Sequence, residues 1–187
     1  MKMMGALNKF SKNNRGFNLI EIAIVLAVIG IIVGGVYVAA SSVYENNRKQ
    51  KVQTQLLTLV QNIRAAYTGQ PAFGGTGNFT EASAISGGMA PTDMVNGTAL
   101  FSPYGAVTIL GVVAATTFYV DFAGLSAGAC TEMVTKTSAT QSTVNALGVT
   151  AVAIGGTAQT LPVAVQTSAA ACAAGNVAVR VTFNLRG

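Results

Sequence analysis

A chain of 187 residues has room for one domain plus an appended element. Its formal charge of +5 does not make it a nucleic-acid binder: Lys2, Lys9, Lys12 and Arg15 supply four charges before residue 16, and the other seven basic residues nearly cancel six acidic ones. The absence of histidine excludes His-dependent triads and His-ligated metal sites. Charged residues make up only 9% of the chain, less than a solvated monomer normally carries, which suits a surface covered by neighbours in an assembly.

The basic leader ends at Arg15-Gly16, and Phe17-Asn18-Leu19-Ile20-Glu21 leads into 23 residues without a charge, Ile22 to Tyr44. Lys and Arg flanking a first apolar helix stay on the cytoplasmic side, so the chain beyond Tyr44 is expected across the membrane. At 1.5 Å per residue the segment spans about 35 Å, enough for a bilayer core. Three readings compete for it. A permanent single-pass anchor fits the length. A signal peptide cut after Val38-Ala39-Ala40 fits poorly, because the apolar run is too long and contains a Glu. The third is cleavage ahead of the apolar run, which leaves the helix with the product.

Glu21 discriminates among them. A carboxylate costs about 2.5–3.5 kcal/mol at a bilayer centre on insertion scales, less near the interface, and a plain anchor gains nothing from it. Its place in the first helical turn is favoured by the helix dipole. The bland alternative is an interfacial Glu that snorkels to the headgroups. Gly30, Gly34 and Gly35 interrupt the run; Gly30-x-x-x-Gly34 permits close helix approach, while each Gly weakens the helix by about 1 kcal/mol relative to Ala.

The junction Arg15-Gly16-Phe17-Asn18-Leu19-Ile20-Glu21 with its apolar continuation resembles a type IV prepilin. The resemblance implies a leader cut by prepilin peptidase between Gly16 and Phe17 and methylation of the new amine at Phe17. The helix would anchor first in the inner membrane, with the rest of the chain in the periplasm, and later in an extracellular filament built by the pilus assembly machinery. The Glu21 carboxylate of one subunit would meet the N-terminal amine of its neighbour. An unpaired charge is penalised in an apolar core, so this pairing would set axial register. In such proteins the helix often loosens near these glycines once it leaves the bilayer for the filament, and many carry a Pro a few residues on; this chain has Val38 there and no Pro before Pro71. The implied fold is α+β and ladle-like: a long N-terminal helix, apolar in its first half, packed against an antiparallel sheet. No cofactor, no metal and no direct nucleic-acid binding is expected.

Beyond Tyr44, Glu45 to Lys51 mark emergence into water. Val52, Leu56, Leu59, Ile63 and Tyr67 then recur at helical steps, which predicts one apolar face; Thr68-Gly69-Gln70-Pro71 ends the helix. Residues 69–103 are rich in Gly, Ser, Thr, Asn and Pro and read as a long connecting loop. Phe73-Gly74-Gly75-Thr76-Gly77 lacks the preceding strand and following Lys of a phosphate loop. Asn78-Phe79-Thr80 and Asn96-Gly97-Thr98 match the glycosylation pattern by chance. Strands are predicted over Ala106–Val113 and Thr116–Phe122, with one or two weak ones in Val144–Ile154 broken by Gly148. Helices are predicted over Leu125–Thr137 and Thr167–Ala174. A closing strand over Asn176–Leu185 sets Val177, Val179, Val181 and Phe183 on one face.

Cys130 and Cys172, an even pair in an exported domain, read as one disulfide rather than two buried thiols. The segment Gly128-Ala129-Cys130-Thr131-Glu132-Met133 and a second Cys in an Ala-rich helix before the last strand resemble the disulfide-bounded region of type IVb pilins, although an initial Phe17 is more typical of type IVa. Glu21, Glu45, Glu81, Asp93, Asp121 and Glu132 are scattered singly and suggest neither an acid/base pair nor a calcium loop, so the chain does not read as an enzyme. The expected organisation is a leader over 1–16, a long helix over 17–68 with 17–44 as membrane span or filament core, and a globular head over 69–187. The leading reading is a structural pilin that forms a helical homo-oligomer. Adhesion, conjugation, motility and DNA uptake all use such subunits. A minor pilin, a secretion pseudopilin and a membrane-anchored periplasmic binding domain that never polymerises are the alternatives.

Overall fold

The computed structural model describes residues 18–186, and the chain divides into two units, Met1–Val43 and Tyr44–Gly187. Helix α1, Leu19–Ala66, belongs to both. In the first unit every described side chain is exposed, and a helix apolar on all sides requires a non-aqueous neighbour. α1 is helical through Gly30, Gly34 and Gly35; the loosening implied above belongs to the filament, not to the single chain.

The second unit is an α+β domain. Within it α1 buries Val52, Gln55, Leu56, Leu59, Val60 and Ile63, the predicted face with Gln55 and Val60 added; Tyr67 packs at its margin. This face lies in one core with an eight-stranded antiparallel sheet of β1 Phe79–Thr80, β2 Val95–Asn96, β3 Ala99–Phe101, β4 Ala106–Gly111, β5 Thr117–Leu125, β6 Val149–Ile154, β7 Thr157–Gln159 and β8 Val177–Asn184. The order is β2-β3-β4-β5-β8-β6-β7, with β1 paired to β4. The last strand thus inserts between β5 and β6, with Phe118 opposite Phe183 and Val120 opposite Val181. Alternation drives this placement: Val179, Val181 and Phe183 are buried while Arg180 is exposed. The rings of Phe118 and Phe183 stack at 5.7 Å.

Four helices complete the domain: α2 Glu81–Ser86, α3 Ala127–Ser138, α4 Gln141–Leu147 and α5 Val165–Cys172. Two expectations need correction. Residues 69–103 are not a plain loop but carry β1, α2, β2 and β3. Elements of two to six residues are too short to show a period, and they are held by distant partners: the Glu81 carboxylate accepts from the Ile109 amide at 2.9 Å. Phe73 and Phe79 cluster with Tyr67. Residues 144–147 are helical rather than extended, because Thr140 and Thr143 form a capping box and Gly148, in the left-handed region at φ 59°, ends α4. Gly148 stops a helix; it does not break a strand.

Candidate functional site

The first candidate lies in the apolar unit. Asn18 opens α1, its Oδ1 accepting from the Ile20 amide at 3.4 Å and its carbonyl from the Glu21 amide at 2.9 Å. Glu21 therefore stands in the first turn, where the helix dipole favours a negative group. With Ile22, Val25 and Leu26 it lines a shallow, mostly apolar cleft of about 160 Å³. Gly16 and Phe17 lie outside the described residues. α1 is long and apolar enough to cross a membrane.

A second constellation lies where α1 enters the domain, and the sequence reading missed it. One oxygen of the Glu45 carboxylate accepts from both the Tyr104 hydroxyl and the Ser126 hydroxyl, each at 2.7 Å. Arg48 lies 3.6 Å from the other carboxylate oxygen, donates to the Pro103 carbonyl and sits 4.1 Å over the Tyr104 ring. Ser126 is also the N-cap of α3, its Oγ accepting from the Ala129 amide. One acid thus ties α1 to the turn between β3 and β4 and to the start of α3. Burial pushes the Glu45 carboxyl up, but the two hydroxyls with Arg48 and Lys49 outweigh it and hold it below its ordinary value. Burial, and then the hydrogen bond to Glu45, pushes the Tyr104 phenol up to about 12. The Glu45–Arg48 spacing of three was the available signal; the partners from residues 104 and 126 left none.

Further along α1, Arg64 donates to the Asn184 carbonyl at 2.8 Å and to the Leu147 carbonyl at 2.8 Å, holding the ends of β8 and α4 together. Cys130 on α3 and Cys172 on α5 are joined as a disulfide, fully buried, with Cα atoms 5.7 Å apart. This bond fixes α5 to the helix that Glu45 anchors through Ser126. The arrangement supplies rigid attachment and presents no paired acid and base.

The family model described as Bundlin matches residues 41–186. The chain belongs to the Bundlin family. A second model, the prokaryotic N-terminal methylation motif, matches residues 11–37, a span that includes Gly16, Phe17 and Glu21. The fold of this Bundlin-family chain is similar to the crystal structure of type IV b pilin from Salmonella typhi. The TM-score is 0.52 at 17% identity, over 71% of this chain and 97% of that one. No curated protein sequence matches it. The chain is a type IV pilin, a structural subunit of a pilus, with an apolar N-terminal helix and the fold of the IVb kind.

Proposed function

We propose that this pilin is made as a precursor with a leader over residues 1–16, and that prepilin peptidase cuts between Gly16 and Phe17 and methylates the Phe17 amine. The long helix over 17–68 would hold the precursor in the inner membrane through 17–44, with the head over 69–187 in the periplasm. The assembly machinery would then draw it into an extracellular filament. Glu21 carries this reading. It is the lone acid in an apolar segment exposed on every side, one helical turn from the amine that cleavage would create. Methylation leaves that amine able to carry a charge, so the pairing with a neighbour's Glu21 survives it. Buried in the filament core, an unmatched acid would be costly, so each incoming subunit is driven to the register that satisfies it.

Two measurements test this. Mass spectrometry of the mature chain should find a methylated N-terminus at Phe17; an intact leader, or a start at Ser41, would sink the proposal. Glu21→Ala should insert into the membrane at the unsubstituted level while filament yield drops by about ten-fold or more. Filaments at normal yield would refute the register role of Glu21.

A further inference from the structure

Beside the Glu45 cluster a cleft of about 390 Å³ opens between α1 and the turns that precede β2 and follow β3, a volume in the range of small-molecule sites. Tyr44, Arg48, Lys51 and Gln55 line it from α1, and Asp93 and Phe101 from the other side. Gln55 is the anomaly. It is only 3% exposed and interrupts an apolar seam. Its Nε2 donates to Asp93 at 2.8 Å, but its Oε1 has no hydrogen-bond partner among the described residues. A buried acceptor left unpaired carries a cost that a hydrocarbon side chain would not, so the site calls for a donor from outside the chain.

Charge fixes the sign of that ligand. In the lining, Arg48 and Lys51 stand against Asp93; adding Glu45 and Lys49, their neighbours on α1, sets three cations against two carboxylates and still leaves one positive charge. Lys51 lies 3.2 Å from Asp93 with its side chain half exposed, and an ammonium has three donors to offer. Position fixes the source. Tyr44 ends the uncharged run and follows the first unit by one peptide bond, so covalent geometry keeps it at the membrane boundary whatever the angle between the units. An aromatic ring suits that depth. Arg48 is one turn, about 6 Å, further along α1, within the polar layer of about 5–8 Å outside a bilayer core, and the Cβ bonds of Lys51 and Gln55 tilt back toward it. Lys and Arg ordinarily collect on the cytoplasmic flank, so Arg48, Lys49 and Lys51 on the flank read above as periplasmic need a local anion. Phospholipid phosphates are the anions at that depth.

We propose that this cleft holds the headgroup of an anionic phospholipid of the phosphatidylglycerol type while the subunit waits in the membrane. The phosphate accepts from Arg48 and Lys51, and a glycerol hydroxyl donates to Gln55 Oε1. The terminal torsion of a Gln side chain is soft, so the covered oxygen turns into the cleft at little cost. Tyr44 and Phe101, 67% and 42% exposed, give the glycerol carbons an apolar wall. An ethanolamine headgroup would bring a further cation to a lining that is already positive, and a choline headgroup has no donor for Gln55. The proposal rests on the reading above that residues 17–44 span the membrane, and it adds a lipid partner for the waiting subunit.

The test titrates short-chain lipids into the full-length subunit held in a non-ionic detergent and reads binding by calorimetry. Dihexanoyl phosphatidylglycerol is compared with dihexanoyl phosphatidylmethanol, which has the same charge and no hydroxyl, and with the ethanolamine and choline lipids of the same chain length. Phosphatidylglycerol should bind about five-fold tighter than phosphatidylmethanol, the scale of one hydrogen bond, and tighter than both zwitterions. Gln55→Leu should erase the margin over phosphatidylmethanol, and Lys51→Met should weaken both anionic lipids together by about ten-fold or more. If Gln55→Leu shifts the thermal midpoint of the head, Gln55→Met, which keeps the length without the acceptor, carries the same comparison. Equal affinity for phosphatidylglycerol and phosphatidylmethanol, or affinities that Lys51→Met leaves unchanged, overturn the proposal, as does tightest binding of the ethanolamine lipid. Glycerol 3-phosphate competing at the lipid's own concentration overturns the membrane source in favour of a free phosphate ester. Loss of the preference in a chain recovered with the inner membrane strikes at this site alone, whereas a chain recovered outside the membrane strikes at the span and at the proposal with it.

Discussion

Glu45 accepts two hydroxyl hydrogen bonds on one oxygen and faces Arg48 with the other; its folded-state pKa is lowered from 4.5. A carboxyl lowered on folding contributes stability that is present above its unfolded value and lost as pH falls through its folded value. Asp93, held by Gln55 and Lys51 against its burial, and Glu132, held chiefly by Lys136, shift the same way. The head should therefore weaken progressively below about pH 4.5, and Glu45→Gln should flatten that dependence. Acid titration followed by circular dichroism reads both; an unchanged acid midpoint in Glu45→Gln would refute the assignment. At the alkaline side the sign reverses. The Tyr104 phenol, raised to about 12, keeps its proton past the ordinary value of 10, so its contribution is complete below pH 10 and is lost as pH climbs from there to about 12. Tyr104→Phe removes one donor to a charged acceptor and should cost about 1–2 kcal/mol in denaturant unfolding.

At the level of elements, what the sequence revealed depended on length and on where the partners lay. The seam of Val52, Leu56, Leu59 and Ile63 was legible because its steps of 4, 3 and 4 keep to one helix face over three turns. Gln55 was not, since an amide reads as solvent-facing until Asp93, from a distant loop, is seen to accept from it at 2.8 Å. β5 and β8 alternate over eight or nine residues and declared themselves. The short pieces between residues 79 and 101 did not, and α4 was hidden because Val144 to Leu147 suits either conformation until the Thr140 cap is known. Of the candidate site, Glu21 and the two cysteines could be picked out as oddities of composition, whereas the Glu45 cluster exists only through folding. The α3–α5 pair depends most on a covalent link. α5 has no side-chain cap at its start, and the disulfide ties it to α3. Closing a loop between positions 42 apart restricts the unfolded chain by about 4 kcal/mol on the chain-entropy model. Cys130→Ser should lower the stability of the head by an amount of that order, and a reducing agent should do the same to the unsubstituted protein under denaturant. Equal unfolding midpoints with and without reductant would refute a stabilising role for the bridge.

On the scale of the whole molecule, two units ask for two solvents. The described part of Met1–Val43 exposes every side chain. The domain from Tyr44 onward has a sealed core that includes Phe118, Phe122, Phe183, Leu56, Leu59 and Ile63. Its hydrogen bonds from α1, through Glu45, Arg48, Gln55 and Arg64, all reach partners within that domain. Nothing described in the domain depends on the apolar unit for its core. A chain starting at Tyr44 should therefore fold without detergent, sediment as a monomer and unfold in one cooperative transition. The full-length chain should need detergent or lipid, because its apolar segment otherwise finds the same segment on another copy. Sedimentation velocity on both forms separates the cases. A shortened chain that is molten, or that self-associates at micromolar concentration, would show that the head borrows stability from the helix it lacks and that the two units are not independent.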